Sequence, residues 1–493
     1  MEKLFEIFGF QSNSPMQLIS VLFVLLFSAF YLLYAFYAHN IKVRNLLLLL
    51  FSLFFYYKMG ESFVLLLIFM ASSDFFIGKT MAKMQSKTKR KSLLILSLII
   101  NIGCLAFFKY LNFILQSWWG FIYNEPSPFL LNIVQPIGIS FYMFKSLTYI
   151  FDIYYGTIEI PEKKYTNYLL YVSFFPNLIA GPIAKARDLL PQFNQATNIT
   201  SLNVNRGFFL IIMGAFKKVC IADFLAVNFI NRVYDSPTLF TGFENLMAAY
   251  GATLQIYCDF AGYTDIVLGI ALLLGFSFQH NFNQPFIAQN ITDFWKRWHI
   301  TLSRWLNEYL FYPLSFSFRK FSTVGTMLAV MITFIISGIW HGPKWTYILW
   351  GSAHGIALAW DIASQSLRAK LKKLIRSKVY RFLSILLTFH FIVFSIVMFK
   401  SVNMSMAFDS YRMIFSKIDF SVAGQWMNLY LYPFLIMILG FTLHFLPIKL
   451  NLGLFNVFSR AHWSLKSIIL FLAVVIIYQF YSAESQPFIY LSF

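Results

Sequence analysis

The chain has 493 residues, of which 59% are hydrophobic and only 12% charged, and its mean hydropathy is +0.65. Soluble globular domains carry about 25% charged residues, so this composition excludes them and predicts a polytopic membrane protein. The net charge of +19 fits the positive-inside bias and contact with anionic membrane lipid, and it does not by itself indicate a nucleic-acid partner. Because lipid cannot satisfy unpaired backbone groups, we expect an all-α fold.

Apolar segments follow one another along the sequence, and we count about eleven to thirteen transmembrane or re-entrant helices at roughly 20 residues per span. The first segment, 16–38, is long enough to span and lacks the cleavage pattern of a signal peptide. Two shorter segments, 46–57 and 62–78, are predicted to be short spans or a re-entrant pair. The other clear segments are 92–115, 130–154, 206–232, 245–275, 323–340, 345–365, 380–400, 428–446 and 465–483.

Interruptions and charges organise these segments. The stretch 168–183 contains two prolines and a glycine, so it is predicted to be too broken for a straight span. Basic runs at 79–91 and 368–381 are predicted to face the cytoplasm. The three cysteines lie far apart, so the sequence predicts neither a disulfide nor a metal site. We find no internal repeat and therefore predict one membrane-embedded unit over 1–493.

A polar interruption breaks the apolar sequence FIISGIWHGPKWTYILW at 334–350, where the four residues HGPK begin at His341. The preceding segment is just long enough to cross a bilayer, and glycine and proline commonly follow a helix C-terminus. The spacing alone favours a plain turn between two membrane helices. The alternative is that the imidazole of His341 is a catalytic base at a helix end. His354, one helix later, is a weaker candidate for such a role.

An amphipathic helix is predicted from Asp293 onward within 281–314, with Thr292 or Asp293 as its N-cap and Pro313 at its end. His299 would lie on the edge of its aromatic face. Two interpretations remain open: a surface helix in which His299 merely packs, or a pocket lined by tryptophans into which His299 points. The predicted aromatic face comprises Trp295, Trp298, Leu302, Trp305, Leu306 and Tyr309, and the opposite face comprises Arg297, Arg304 and Glu308.

Two carboxylates, Asp259 and Asp265, lie inside the apolar segment 245–275. A carboxylate at the bilayer centre costs about 2.5–3.5 kcal/mol, so each should pair with a cation or face a wet cavity. We expect pairing between helices, for example with Arg297 or Arg304. The alternative is a transport pathway, because transporters also have intramembrane carboxylates and broken helices.

Two long motifs resemble the paired histidine motifs of the membrane-bound O-acyltransferases: DFWKRWHITLSRWLNEYLFYPL and SGIWHGPKWTYILWGSAHG. Three further stretches match in the family's order: QPIGISFYMFKSLTYIFDIYYG from Gln135, FFPNLIAGPIAKARDLLPQF from Phe174 and YCDFAGYTDIVLG from Tyr257. Together they cover roughly residues 100–360, which we take as the acyltransferase core. The sequence is most similar to the bacterial branch for O-acetylation of alginate, peptidoglycan and cellulose.

The resemblance implies a core in which cytoplasmic and external funnels meet at a thin waist. It makes His341 the catalytic histidine at that waist and His299 the second histidine, on the cytoplasmic side. A neutral imidazole can take a hydroxyl proton near pH 7, so His341 would be a general base or, alternatively, a transient acyl carrier. Asp293 and Arg297 would hold the His299 helix in place.

Further residues are expected to assist these two histidines, with no metal and no bound cofactor. The predicted substrate-binding residues are Trp340, Trp295, Trp298, Asn281, Asn283, Lys296, Arg297 and Arg304, and the predicted supporting residues are Asp293, Asp259, Asp265 and His354.

The resemblance also implies substrates and partners. The donor would be cytoplasmic acetyl-CoA, the acceptor an envelope or secreted polysaccharide, and the partner an SGNH-like acetyltransferase outside the bacterial inner membrane. One alternative is D-alanyl transfer from a carrier protein to teichoic acid, since that membrane protein shares both histidine motifs. The other alternative is a polysaccharide transporter without chemistry, against which the lack of an inverted repeat argues.

Overall fold

Every regular element is helical in the part of the chain that the computed structural model describes, residues 9–10, 16–197, 199–481 and 488. This confirms the predicted all-α class. The helices of the first half are α1 Val21–Tyr37, α2 Ile41–Gly60, α3 Phe63–Lys83, α4 Lys87–Leu105, α5 Leu111–Tyr123, α6 Ile139–Tyr155, α7 Tyr165–Ser173, α8 Ala186–Phe193, α9 Ser201–Ala215, α10 Asn231–Asp235 and α11 Gly242–Leu273. The helices of the second half are α12 Ile291–Trp295, α13 Ile300–Leu306, α14 Tyr312–Ser317, α15 Ser322–His341, α16 Trp345–Ala363, α17 Gln365–Leu374, α18 Ser377–Lys400, α19 Met404–Ser416, α20 Ala423–Leu429, α21 Leu431–Phe445, α22 Ile448–Arg460 and α23 Trp463–Phe480.

Seven of the described helical runs are long and apolar enough to cross a membrane, and the bent pair α20 and α21 makes an eighth if it is one span. The chain is therefore a multi-pass membrane protein. The other predicted segments form shorter, interrupted or less apolar helices. The seven runs are Ile41–Gly60, Phe63–Lys83, Lys87–Tyr123, Gly242–Leu273, Arg319–His341, Ser377–Lys400 and Trp463–Phe480.

The segments 46–57 and 62–78 belong to full-length helices, not to short spans or a re-entrant pair. Helix α2 has 20 residues and α3 has 21. Most of the residues that were expected to separate the two segments lie inside α2. One of them, Lys58, is buried and donates a hydrogen bond to the carbonyl of Gly9. Pairing of this ammonium group inside the protein lets the helix continue to Gly60.

Several helices are interrupted, as the prolines and glycines of the sequence suggest. The stretch 168–183 is broken as predicted, because α7 ends at Ser173 and only one short 3₁₀ turn follows. The segment 130–154 is helical only from Ile139, after Gly138 at φ 74°. The π-helical segments are Ala106–Tyr110, Phe216–Asp223, Ala226–Ile230 and Asn307–Phe311, and the 3₁₀ segments are Phe175–Asn177, Pro237–Leu239, Pro285–Ile287 and Arg319–Phe321.

Backbone contacts divide the chain into two compact units, 1–211 with 266–279, and 212–265 with 280–493. The second unit contains both histidine motifs. Its main apolar core includes buried side chains from α11, α15, α16 and α18. Helices α15 and α16 form a hairpin within this unit, and α18 packs beside α16.

Two glycines let the backbones of α15 and α16 approach each other. A Cβ atom on Gly338 would collide with the carbonyl oxygen of Tyr347, and one on Gly351 would collide with that of Phe334. Close approach of this kind is the common use of small residues between membrane helices. The hairpin that carries His341 at its turn is thus packed backbone against backbone.

We predict that Gly351→Ala destabilises the protein, because the added methyl group overpacks the hairpin by about 1–3 kcal/mol. The measurement is thermal unfolding of the purified protein in detergent. Gly453→Ala, in α22, is the control, since a Cβ atom there meets nothing within 4 Å. Equal unfolding temperatures for the two variants would contradict the proposed packing.

Candidate active site

His341 is the last residue of α15, and its imidazole is buried. The turn that follows is closed by the Lys344 amide, which donates to the Gly342 carbonyl at 2.9 Å, and α16 begins at Trp345. The predicted helix–turn–helix is therefore confirmed. The side chain of His341 is only 4% exposed, so this is not a solvated interfacial turn.

Aromatic rings surround the imidazole of His341. The ring of Trp350, on α16, meets it edge to face with centroids 5.0 Å apart, and Phe399, on α18, does the same at 5.2 Å. Trp350 and Phe399 also contact each other at 5.1 Å. Three helices therefore fix the orientation of the His341 ring through packing.

The second motif differs from its prediction, because the amphipathic helix expected from Asp293 is broken at His299. The N-cap is Asn290, whose side chain accepts from the Asp293 amide at 2.8 Å. Helix α12 ends at Trp295, and His299 adopts a left-handed conformation with φ 42° before α13 begins. Pro313 does not end a helix but lies in the first turn of α14.

Asn281 supplies the polar partners that this break requires. Its carbonyl accepts from the Ile300 amide at 2.9 Å. Its side-chain Oδ1 accepts from the amide of Thr301 at 3.2 Å and from its hydroxyl at 2.6 Å. Asn281 is fully buried. We predicted it as a substrate contact, and the structure shows it holding the backbone just after His299.

Asp293 and Arg297 tie the same loop together, as expected. The carboxylate of Asp293 accepts from Arg297 Nε at 2.8 Å and from the Gln289 amide at 3.1 Å. The amide of Asn283 donates to the Arg297 carbonyl at 2.9 Å. The pair therefore braces the residues just before His299, and Asn283 is an exposed backbone partner.

His299 is only 1% exposed, and its ring meets that of Phe260, on α11, edge to face at 4.6 Å. Burial lowers the pKa of His299 to about 3, because an apolar environment disfavours the charged imidazolium. The side chain is therefore neutral at pH 7. This burial excludes a surface helix on which His299 faces the membrane interface.

A small cavity of about 20 Å³ adjoins His341, with room for about one water molecule. His341, His354 and Trp298 all line it. His299 is not a lining residue, but its ring contacts that of Phe260, which lines the cavity. The complete lining is Thr253, Ile256, Phe260, Phe286, Phe294, Trp298, His341, Trp350, His354, Ile392, Ser395, Ile396 and Phe399.

His354 has a defined tautomer because both ring nitrogens have partners. The indole N–H of Trp295 donates to His354 Nδ1 at 3.2 Å. Ser395 donates its hydroxyl proton to the Ile392 carbonyl at 2.8 Å, so it accepts from His354 Nε2–H at 3.2 Å. His354 is thus a neutral member of the cavity wall, and Trp295 is one of its hydrogen-bond donors.

A second cavity, of about 250 Å³, lies on the other side of Trp295 and is lined by Lys296, Thr333 and Phe334 among others. Lys296 is exposed, as is Arg304. These two predicted contacts therefore lie away from the small cavity, whereas Trp298 lines it. Trp340 is buried, and its ring contacts that of His341 at 5.0 Å.

The intramembrane carboxylates pair with lysines, and the example of Arg297 or Arg304 as partners was wrong. Lys218 Nζ lies 2.6 Å from Asp259 and 2.8 Å from Asp223, all three buried. Lys217 Nζ lies 2.6 Å from Asp265, and that pair is partly exposed. Both lysines lie in the π-helical segment 216–223, which places them beside α11.

The residues of the site that escaped the sequence reasoning include Trp350, Phe399, Ser395 and His444. The first three line the small cavity. His444 Nε2 accepts from the Phe286 amide at 3.2 Å and so holds another lining residue. Trp350 and His354 are four residues apart and therefore lie on one face of a helix. This spacing is the one sequence signal that could have identified Trp350 as a site residue.

A polytopic helical protein with a buried histidine at a helix end and a small cavity lined by aromatic residues has the features of an integral-membrane enzyme. Residues 85–372 match the membrane-bound O-acyltransferase (MBOAT) family. The chain therefore belongs to this family and is an acyltransferase, and the transporter interpretation is excluded.

Three relatives with named activities are similar to this chain over more than half of its length. A probable alginate O-acetylase of Pseudomonas aeruginosa is 36% identical over 384 residues, 77% of this chain and 71% of the relative. A peptidoglycan O-acetyltransferase of Helicobacter pylori is 34% identical over 413 residues, 77% and 75% of the two chains. A teichoic acid D-alanyltransferase of Bacillus subtilis is 30% identical over 296 residues, 58% and 74%.

We predict that Lys218→Met destabilises the protein by about 3–5 kcal/mol, because it leaves two buried carboxylates without their cation. Lys217→Met should cost about 1 kcal/mol or less, since its ion pair is partly exposed to solvent. Thermal unfolding in detergent measures both. A smaller effect for Lys218→Met than for its neighbour would contradict the importance of the buried pairs.

Proposed function

We propose that the protein transfers an acetyl group from cytoplasmic acetyl-CoA across the bacterial inner membrane for O-acetylation of an extracytoplasmic polysaccharide. The observation that carries this proposal is the buried imidazole of His341 beside a small cavity of about 20 Å³. A cavity of this size suits the methyl group of an acetyl and not a long acyl chain. The names of relatives that act on alginate and peptidoglycan support a polysaccharide acceptor.

His341 would act as the general base. A hydroxyl oxygen attacks the thioester carbonyl carbon, its proton passes to the imidazole, and the carbonyl oxygen takes up the negative charge. The carbon–sulfur bond then breaks, and the imidazolium returns the proton to the thiolate, which leaves an ester and free CoA. The neutral imidazole is the form that accepts a proton.

His299 would support this reaction from the neighbouring loop. Its neutral ring lies against Phe260, which lines the same cavity, and it would orient the thioester. Lys296 and Arg304 are exposed on the same motif and could receive the phosphates of the donor at the membrane surface. Lipid phosphates would bind them equally well.

The acetyl group would leave on the extracytoplasmic side. We propose that an SGNH-like acetyltransferase receives it there and completes the transfer to sugar hydroxyls. Such a partner would explain how a cavity with room for little more than one methyl group serves a polymer, since the polysaccharide itself need not enter.

D-alanyl transfer is the second candidate, and the similarity to a D-alanyltransferase over 58% of the chain supports it. The two differ in donor, because D-alanine would arrive on a carrier protein. A D-alanyl group also carries an ammonium ion, which the mainly apolar lining of the small cavity would have to desolvate. Acetyl is therefore the better fit.

We predict that His341→Ala abolishes acetyl transfer while leaving protein abundance unchanged. Labelled acetyl-CoA is supplied to the cytoplasmic side of membranes that contain the protein and its extracytoplasmic partner. His462→Ala is the control, because that histidine is exposed and its side chain hydrogen-bonds the nearby Ser464, in a different part of the chain.

The destination of the label decides between the proposals. Label on an envelope glycan or the external partner, lost in His341→Ala, would support transmembrane acetyl transfer. Label that stays on wild-type protein and is absent from His341→Ala would indicate a covalent acetyl-imidazole. Normal transfer by His341→Ala would refute the proposed base, and transfer only from a D-alanyl carrier protein would refute the donor.

We also predict that the cavity wall sets the length of the acyl group. Ile392 and Ile396, on α18, line the cavity, so Ile396→Ala should admit propionyl and butyryl groups. The ratio of butyryl to acetyl transfer should rise about tenfold, the usual effect of a methylene on selectivity. Ile468→Ala, on an exposed face of α23, is the control, and an unchanged ratio for Ile396→Ala would contradict the prediction.

A further inference from the structure

The indole N–H of Trp350 is a buried donor at the small cavity. Trp350 lies on α16, is only 5% exposed and lines the cavity together with His341. Its Nε1 atom has no hydrogen-bond partner among the described residues. The ring centroid of Trp350 lies 5.0 Å from that of His341, so the donor and the proposed base are neighbours.

An unsatisfied indole N–H inside a protein is unusual, because buried tryptophans normally find an acceptor. Leaving such a donor unpaired costs about 1–3 kcal/mol. Trp295, on the neighbouring helix α12, follows the normal rule by donating to His354 Nδ1 at 3.2 Å. Trp426 shares the lack of a partner among the described residues, but of these two tryptophans Trp350 is the one that lines the cavity beside His341. Its N–H is therefore placed to bind an acceptor that a substrate brings.

The packing around Trp350 holds its ring in place. Phe399 contacts the indole at 5.1 Å, and His354 contacts it at 4.7 Å. His354 is itself fixed by hydrogen bonds at both ring nitrogens, since Nδ1 accepts from Trp295 and Nε2–H donates to Ser395. The donor is thus preorganised, which is the condition under which a hydrogen bond stabilises developing charge most strongly.

We propose that Trp350 is a catalytic residue whose Nε1–H donates a hydrogen bond to the thioester carbonyl oxygen as that oxygen becomes an oxyanion. This inference rests on the proposed acetyl transfer. When the acceptor hydroxyl adds to the carbonyl carbon, its proton goes to His341 and the charge goes to the carbonyl oxygen facing Trp350. When the carbon–sulfur bond breaks, the charge leaves this oxygen and the thiolate takes the proton from His341.

Tryptophan suits this role in an apolar cavity. The indole nitrogen can donate a hydrogen bond but cannot accept one. The attacking hydroxyl group therefore cannot donate to it, and the N–H stays available for the carbonyl oxygen. The indole is also uncharged, so its burial in the apolar cavity does not require the desolvation of an ion. A lysine or arginine at this position would demand a counter-ion in the same space.

The experiment compares Trp350→Phe with Trp426→Phe in acetyl transfer from acetyl-CoA. Phenylalanine keeps an aromatic ring but removes the N–H. Trp426 is an apt control, because it is 2% exposed and its Nε1 also has no partner among the described residues, yet it packs against Phe229 and Tyr430 and not at the cavity. We expect Trp350→Phe to lower kcat about 100- to 1000-fold with KM within threefold, and Trp426→Phe to change neither.

Other outcomes separate this inference from the proposed function. No acetyl transfer by the wild type would refute the proposed function itself. Wild-type activity with an unchanged kcat for Trp350→Phe, or an effect on KM alone, would overturn only the role of Trp350. An equal loss for Trp426→Phe would overturn it as well, since the effect would then be one of folding.

A second substitution keeps the test valid if Trp350→Phe fails to fold. Benzothienylalanine at position 350 retains the bicyclic shape of tryptophan and lacks the N–H. The carbonyl stretch of ¹³C-labelled acetyl-CoA, bound to the His341→Ala protein, is the second readout. We expect a lower frequency than for free acetyl-CoA and its return to the free value with benzothienylalanine, and no difference between the two proteins would overturn the inference.

Discussion

The need to satisfy every backbone group in an apolar interior governs this protein. Breaking a helix there frees N–H and C=O groups, and each costs several kcal/mol if it stays unpaired. The chain can leave its helix at His299 because Asn281 accepts from Ile300 and Thr301, while the residues just before the break are tied by Asp293 and Arg297. The second histidine therefore owes its position to a loop that precedes its own helix.

Charged side chains obey the same constraint in the second unit. Lys218 faces two carboxylates, and Lys217 faces one, so that the polar residues of α11 enter the apolar core as ion pairs. His354 is likewise satisfied on both nitrogens. The indole N–H of Trp350 is a buried donor without an acceptor among the described residues, and it is informative because Trp350 lines the cavity beside His341.

The sequence predicted the structural features that follow from a local pattern of residues. It did not predict the features that depend on residues far away in the chain. The α15–turn–α16 hairpin follows from apolar length and a Gly-Pro pair, and the family follows from long motifs. The left-handed backbone of His299 has no such signal, because Asn281 enforces it from outside the helix. The lysine partners of Asp259 and Asp265 were missed for the same reason, as they lie on a segment far upstream.

The close backbone contact between Gly338 and Gly351 fixes how the two helices of the hairpin are aligned along their length. Tyr347 and Phe334 present their carbonyl oxygens where any side chain would collide, so the hairpin has one allowed register. A slip by one residue would bring Ile339 or Trp350 against those oxygens. The position of His341 relative to Trp350 along the hairpin is thereby set by the lack of a side chain at these two glycines.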